Sequence, residues 1–423
     1  MKPLDAGSLR HFLPEQDLML LGSTPVCYHC HHFNLFLDQT IDDSLGAERG
    51  ADLRFAAARE ASYALLTELG DKAGAVSAID KLELAAAVFR SMGHGVLEVS
   101  GDAAGGSATG RFLHYGHAWN EKYGQLVNRS EPVDAVAAGF AAAALATAHN
   151  LAPDRLEAEE SACVALRATE CAFSIGPANR PETPRAKVEV EALRRSVQPT
   201  FTGQSESDIV AITNGLRDLT AGVAGDERGL VQAFGVYVTM HLTNYYNRIS
   251  YDALDVMQKE APGAVGVFES LLRESGHVCV FNTFGGILLS PEWEGAVGPL
   301  RNDPAMIVRG CLAIGRALGF GHWTLQELEP GRRLVVRSPS TYEASYYLTR
   351  HGRSDHAREY FLQGAALAIA QLAHRVDWES KPMLTQRFYN DLFRGGLPWR
   401  VQQTHNLVAG DAFSEVVVTH RDA

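Results

Sequence analysis

The strongest constraint on this 423-residue chain is a set of short matches that occurs twice in the same order. VCYHCHHFNLFL (Val26 to Leu37) lies over VYVTMHLTNYYN (Val236 to Asn247), pairing His31 with His241 and Asn34 with Asn244. Further on, SMGHGVLEV (Ser91 to Val99) matches ALGFGHWTLQEL (Ala317 to Leu328), and GFAAAALATA (Gly139 to Ala148) matches GAALAIAQLA (Gly364 to Ala373). CAFSI (Cys171 to Ile175) and SEVVV (Ser414 to Val418) then close the two series. The shared order carries the argument, since alanine-rich helices align with almost anything. The chain therefore reads as two diverged copies of one module, residues 1–178 and 205–423. Residues 179–204 form the linker, in a segment holding Pro177, Pro181, Pro184 and Pro199.

Composition narrows the setting. With 46% hydrophobic and 21% charged residues the chain is ordinary globular material. A net charge of -12 without basic runs argues against a nucleic-acid partner. The longest apolar stretch, Val133 to Ala148, is interrupted by Asp134, so no membrane span or signal peptide is expected. Six cysteines do not make a disulfide framework, which points to a reduced, cytoplasmic protein. Cys279 and Cys311 sit among apolar neighbours and read as core.

Each half reads as helices, then strands, then helices, then a terminal strand, which is the pattern of an α+β fold. Ala51 to Leu69 has helical spacing, with Leu53, Ala57, Tyr63, Leu66 and Leu69 inward. Arg333 to Arg337 reads as a strand before a helix capped by Ser340 or Thr341. Glycine-rich GDAAGGSATGR (Gly101 to Arg111) lacks the G-K-[ST] of a phosphate loop and reads as a flexible loop. FNTFGGILLSPEW (Phe281 to Trp293) reads as a tight turn at Gly285-Gly286 with a Ser-Pro cap. No nucleophile-elbow, zincin or dinucleotide-binding signature is present.

Two clusters carry chemistry. In EESACVALRATECAF, Glu160 and Cys163 stand at i, i+3 and would share a helix face, with a turn at Arg167 to Glu170 returning Cys171 beside them. Two thiolates and a carboxylate suit zinc, with one further ligand closing a tetrahedron. In the second cluster, a helix would put Cys27, Cys30, His31 and Asn34 on one stripe, suited to a soft or borderline metal or to thiol redox chemistry. The alternatives are buried hydrophobic cysteines and histidines paired with backbone. His114, His117, Trp119 and Tyr123 could hold a planar ligand by stacking and a hydrogen bond, or lie on the surface.

The E-x-x-C-x7-C pattern at Glu160, Cys163 and Cys171 resembles the 4-vinyl reductase domain, as does the stretch Leu318 to Leu348 followed by Tyr360 to Ala370. That domain is also the aromatic-sensing input domain of phenol- and xylene-responsive activators. The resemblance covers about two thirds of the chain. It implies tandem α+β modules related to small TRAPP subunits, a buried apolar ligand pocket beside His114 and His117, and often a zinc ion nearby. It also implies zinc at Glu160, Cys163 and Cys171, whereas the second half has Gln403, Asn406 and Ser414 at those positions. The family's remaining cysteine has no counterpart around Val133 to Ala143. His149 is the nearest substitute, and Cys27, Cys30 and His31 are the chemically better ones. The expected role is binding or sensing a small apolar or aromatic molecule, with a pseudo-dimer inside one chain that could itself dimerise. A metalloenzyme joining both clusters around one zinc or other transition metal is the alternative, and a TRAPP-like adaptor a third.

Overall fold

The computed structural model describes residues 9–124, 129–179, 203–394 and 399–421. The expected linker therefore lies almost wholly outside the described residues. In the first half, β1 (Arg10–Leu13), β2 (Leu18–Leu21) and β3 (Thr24–Cys30) lead into α1 (His31–Leu45), α2 (Ala47–Ala73) and α3 (Ala78–Ser91). Then follow β4 (Glu98–Asp102), β5 (Gly105–Gly110), α4 (His114–Tyr123), α5 (Ala135–Ala148), β6 (Leu156–Ala162) and β7 (Cys171–Pro177). The second half runs α6 (Glu206–Thr220), β8 (Val231–Ala233), β9 (Val236–Leu242), α7 (Thr243–Glu260), α8 (Val265–Cys279) and α9 (Pro304–Ala317). It ends with β10 (Thr324–Glu329), β11 (Arg333–Ser338), α10 (Tyr342–His351), α11 (Tyr360–Arg375), β12 (Trp399–His405) and β13 (Ser414–His420). Strands and helices thus mix in an α+β fold; the second half opens on a helix, as the helices-first reading expects, whereas the first half opens on β1, β2 and β3.

Three antiparallel sheets result. The first, ordered β1-β2-β3-β9-β8, draws strands from both halves, with β3 and β9 as its shared centre. The other two have the orders β4-β5-β7-β6 and β10-β11-β13-β12. All seven residues of β3 are buried, because its edges are paired and helices cover its faces. Of the stripe that a helix over Cys27 to Asn34 would make, Cys27 and Cys30 thus lie on a strand and only His31 and Asn34 in a helix. The β-rich composition and the β9 partner outweigh the helical spacing. The glycine-rich Gly101 to Arg111 segment is likewise not a loose loop: β4 and β5 form a hairpin there, with Asp102 opposite Gly105.

Helix α5 is apolar all round and almost wholly buried, as a helix inside a core must be; it lies along α2, and α11 lies along α8. In the second pair the backbones nearly touch: a Cβ on Gly364 would sit 1.8 Å from the Arg273 carbonyl oxygen. Thr341 caps α10 by accepting from Ala344 N at 3.1 Å, as its position suggested. No helix among the described residues is long and apolar enough to cross a membrane.

Polar side chains lock the halves together. Tyr246 OH donates to Asn34 Oδ1 (2.6 Å), and Asn34 Nδ2 donates to Thr239 Oγ1 (3.1 Å). Buried Arg248 of α7 donates to the Ala56 carbonyl of α2 at 2.9 Å. His29, His94, His114 and His241 are buried close to this seam. Burial holds His94 at about 3 and His31 at about 4, and keeps His29, His114 and His241 well below the usual imidazole value.

These rings stay neutral in the folded chain, whereas the unfolded chain takes up protons below about pH 6.5. Their stabilisation is therefore complete above about pH 6.5 and is lost as pH falls toward the folded values. Burial also raises Asp38 to about 7 and Glu343 to about 8, and these act the other way, adding stability as pH falls from about 8 to about 4. Below about pH 4 Asp38 and Glu343 are protonated in both states and no longer oppose the histidines, while carboxylates held low by ion pairs, such as Asp17, lose their own contribution in the same direction. The unfolding free energy in urea is expected to fall below about pH 6 and to fall more steeply below about pH 4.5. A profile still rising between pH 5 and 3 would contradict the buried neutral histidines.

Candidate metal centre

The N-terminus of α5, the end of β6 and the start of β7 meet at one point. Asp134, Glu160, Cys163 and Cys171 gather there, each offering a ligand atom within 4.8 Å of the others. Asp134, Cys163 and Cys171 are at most 1% exposed. Glu160 lies on strand β6 rather than on a helix. Side chains at i and i+3 of a regular strand face opposite ways. Here a β-bulge between Glu160 and Ala162 inserts an extra residue and returns Glu160 and Cys163 to one side. A single 3-10 turn, Val164–Leu166, followed by Arg167 at φ 73, then brings Cys171 back.

Asp134 is the donor that sequence reasoning missed, although it was visible as the one charged residue in the alanine-rich stretch. It is the N-cap of α5, yet its side chain caps nothing. An N-cap aspartate ordinarily accepts from the first turn of its helix. This one accepts instead from Gly116 N (3.3 Å) and Cys171 Sγ (3.3 Å). Glu160 Oε2 accepts from Asp134 N at 2.9 Å, while its Oε1 is buried without a hydrogen-bond partner among the described residues. Val164 N donates to Cys171 Sγ at 3.4 Å.

The electrostatics are those of donors without a counter-charge. Burial, then the Glu160 charge, pushes Asp134 well above the carboxylate range. Burial and Cys163 raise Glu160 to about 9. The Cys163 thiol, hydrogen-bonded to Cys171, lies at about 7, while the same contact and burial drive Cys171 up. A divalent cation would supply the missing positive charge and favour the deprotonated donors. The orphaned Glu160 oxygen and the two-sulfur, two-carboxylate donor set fit such an ion, and all four protein donors together would close a tetrahedral site.

The corresponding place in the second half is built differently. The buried Glu359 precedes α11 as Asp134 precedes α5. Its carboxylate accepts from Thr341 Oγ1 and Gln403 Nε2, each at 2.6 Å, and from Ser414 Oγ. Leu407 N donates to Ser414 Oγ at 3.0 Å, as Val164 N does to Cys171 Sγ, and β12 has a bulge between Gln403 and His405. One carboxylate with three neutral donors needs no cation. The four acidic groups of the first half could take one.

The remaining sequence candidates lie elsewhere. Cys27 and Cys30 are on β3, opposite His241 and Val238. At i and i+3 of a strand without a bulge they face opposite sides and cannot share one ion. His31 begins α1 and accepts from Tyr237 N at 3.2 Å. None of the three joins the Asp134 cluster, so the single ion bound by both sequence clusters is not formed. His149 follows the C-terminal end of α5, one helix length from Asp134.

His114 and Asn34 are in contact, Asn34 Nδ2 lying 3.0 Å from His114 Nε2. His117 lies 3.3 Å from Tyr237 OH. Trp119 packs on Tyr123 with ring centroids 4.7 Å apart and carries the Arg129 guanidinium over its ring. These four candidates make separate contacts. Cys279 and Cys311 are fully buried core residues, as expected.

Fold and site together define an α+β protein with a buried Asp/Glu/Cys/Cys cluster that can hold a metal ion. No family model and no curated protein matches the chain. Among solved structures it is similar to the phenol-responsive sensory domain of the transcription activator PoxR with phenol, at a TM-score of 0.33 and 17% identity over 41% of this chain and 87% of that one.

Proposed function

We propose that the chain is a tandem pair of 4-vinyl-reductase-like modules that binds a small apolar or aromatic molecule, and that its first module is braced by one structural zinc ion. The asymmetry between the halves carries the metal reading: acidic donors converge in one and a neutral hydrogen-bonded network stands in the other. The identical order of the two four-stranded sheets supports the tandem reading. So does the central ladder. Laying residue 26 on residue 236 carries the Tyr28–Met240 rung onto Val238–Cys30, itself a rung, and returns His29–Thr239 to itself, as a local twofold through that pair requires. The small-molecule role rests on the resemblance of the Glu160, Cys163 and Cys171 motif to aromatic-sensing input domains. Four protein donors, three of them almost fully buried, favour a brace over a catalytic ion, which keeps a position open for water.

Mass spectrometry of metal content tests this. Purified protein is expected to retain about one zinc per chain after dialysis. Cys163→Ser and Asp134→Asn should lose it, while Ser414→Ala should keep it. A metal-free wild-type protein that also fails to take up added zinc would refute the metal reading.

A further inference from the structure

Two segments singled out in the sequence, CYHCHHFN of the first half and FNTFGGILLSPEW of the second, meet at one cavity of about 470 Å³. That is ample for a small organic molecule. The cavity shares no residue with the metal cluster, and the inference does not depend on the reading above. Its apolar wall includes Phe234, Val236, Leu289 and Leu384, and His32, Asn282 and Glu292 supply polar atoms.

Three local departures from regular structure shape it. The segment Val280–Phe284 winds as a π-helix and runs on into the helix Gly285–Leu288, where the sequence suggested a tight turn at Gly285-Gly286. Such turns recur where a helix wall is opened at a binding site. Phe234 is held at φ 54, a strained conformation for a side-chain-bearing residue, next to Gly235 at φ 76. Gly286 leaves space that a side chain would take: its Cβ would stand 2.6 Å from the Phe234 carbonyl oxygen.

The hydrogen-bonding inventory indicates the ligand. The Asn282 amide spends a hydrogen on the Val278 carbonyl (2.8 Å) and keeps its oxygen. Ser290 Oγ donates to the Ile287 carbonyl (2.7 Å) and accepts from Trp293 N, so it is spent. Glu292 is an exposed carboxylate at the start of the short helix Pro291–Ala296, and among the described residues no lysine or arginine lines the cavity. The charge facing the cavity is the Glu292 carboxylate, with the Asn282 oxygen, one Asn282 hydrogen and the neutral His32 ring beside it, over an apolar floor. We propose that this cavity binds a small organic amine, its ammonium group held by Glu292 and Asn282 Oδ1 and its apolar body against Leu289, Leu384 and Phe234.

Calorimetric titration of the full-length protein as purified with 2-phenylethylamine, 2-phenylethanol and 3-phenylpropionate tests it. The amine is expected to bind saturably, about tenfold or more tighter than the alcohol, with no binding of the carboxylate. Glu292→Gln, at an exposed rim position, should weaken amine binding about tenfold. Leu289→Trp should abolish it by filling the cavity. No binding of the amine, equal affinity for amine and alcohol, or amine affinity unchanged in Glu292→Gln would each overturn the proposal.

Discussion

Chelation of the zinc-loaded protein is expected to lower its melting temperature by roughly 8–16 °C, the largest single effect anticipated for this molecule. A ligand present at about a thousand times its dissociation constant stabilises the folded state by about 4 kcal/mol, and each kcal/mol moves a domain of this size by roughly 2–4 °C. The loss should be local. Without a cation, Asp134, Glu160 and Cys171 must retain protons in a buried site that offers them few partners. Hydrogen exchange should therefore accelerate in β6, β7 and the first turn of α5. Protection of β12 and β13 should not change, because Glu359 is held there by Thr341, Gln403 and Ser414. Cys171→Ala should reproduce the chelated state and make the melting temperature insensitive to added zinc. Equal melting temperatures for zinc-loaded and chelated wild-type protein would remove the metal from the account of stability.

The second large effect is expected from a single methyl group. Gly364→Ala places a Cβ 1.8 Å from the Arg273 carbonyl oxygen, which is helix backbone and cannot rotate away. Helices α8 and α11 must then separate across a packed core, at a cost of about 3 kcal/mol. Gly215→Ala, in the middle of α6, meets nothing within 4 Å and is the matched control. It should stabilise by about 0.5–1 kcal/mol through helix propensity alone. Urea unfolding of the two variants should move in opposite directions. A Gly364→Ala midpoint equal to that of wild type would show that the helices do not approach as closely as described.

Much of the architecture could be read from the chain. The α2 and α5 helices, the Thr341 cap and the buried Cys279 and Cys311 follow from periodicity, residue chemistry and local hydrogen bonding. Two of the misreadings share one origin, which is spacing taken as helical where the backbone is extended. Glu160 and Cys163 share a side through the bulge at the end of β6, which pairs with the nearby β7, whereas Thr24 to Cys30 pairs with β9, far away in sequence. Pairing of that kind leaves no short-range signature. Asp134 escaped notice because it reaches the cluster from 26 residues before Glu160, an interval that says nothing about direction.

The sequence by itself marked three of the four side chains that could bind an ion, Glu160, Cys163 and Cys171. Tertiary structure decided which of them meet. Cys27 and Cys30 are separated by the same interval as Glu160 and Cys163. On β3 the ladder is regular, so alternate pleating sends the first pair to opposite faces. At the end of β6 one bulged residue restores the second pair to the same side, and the N-terminus of α5 brings Asp134 to them.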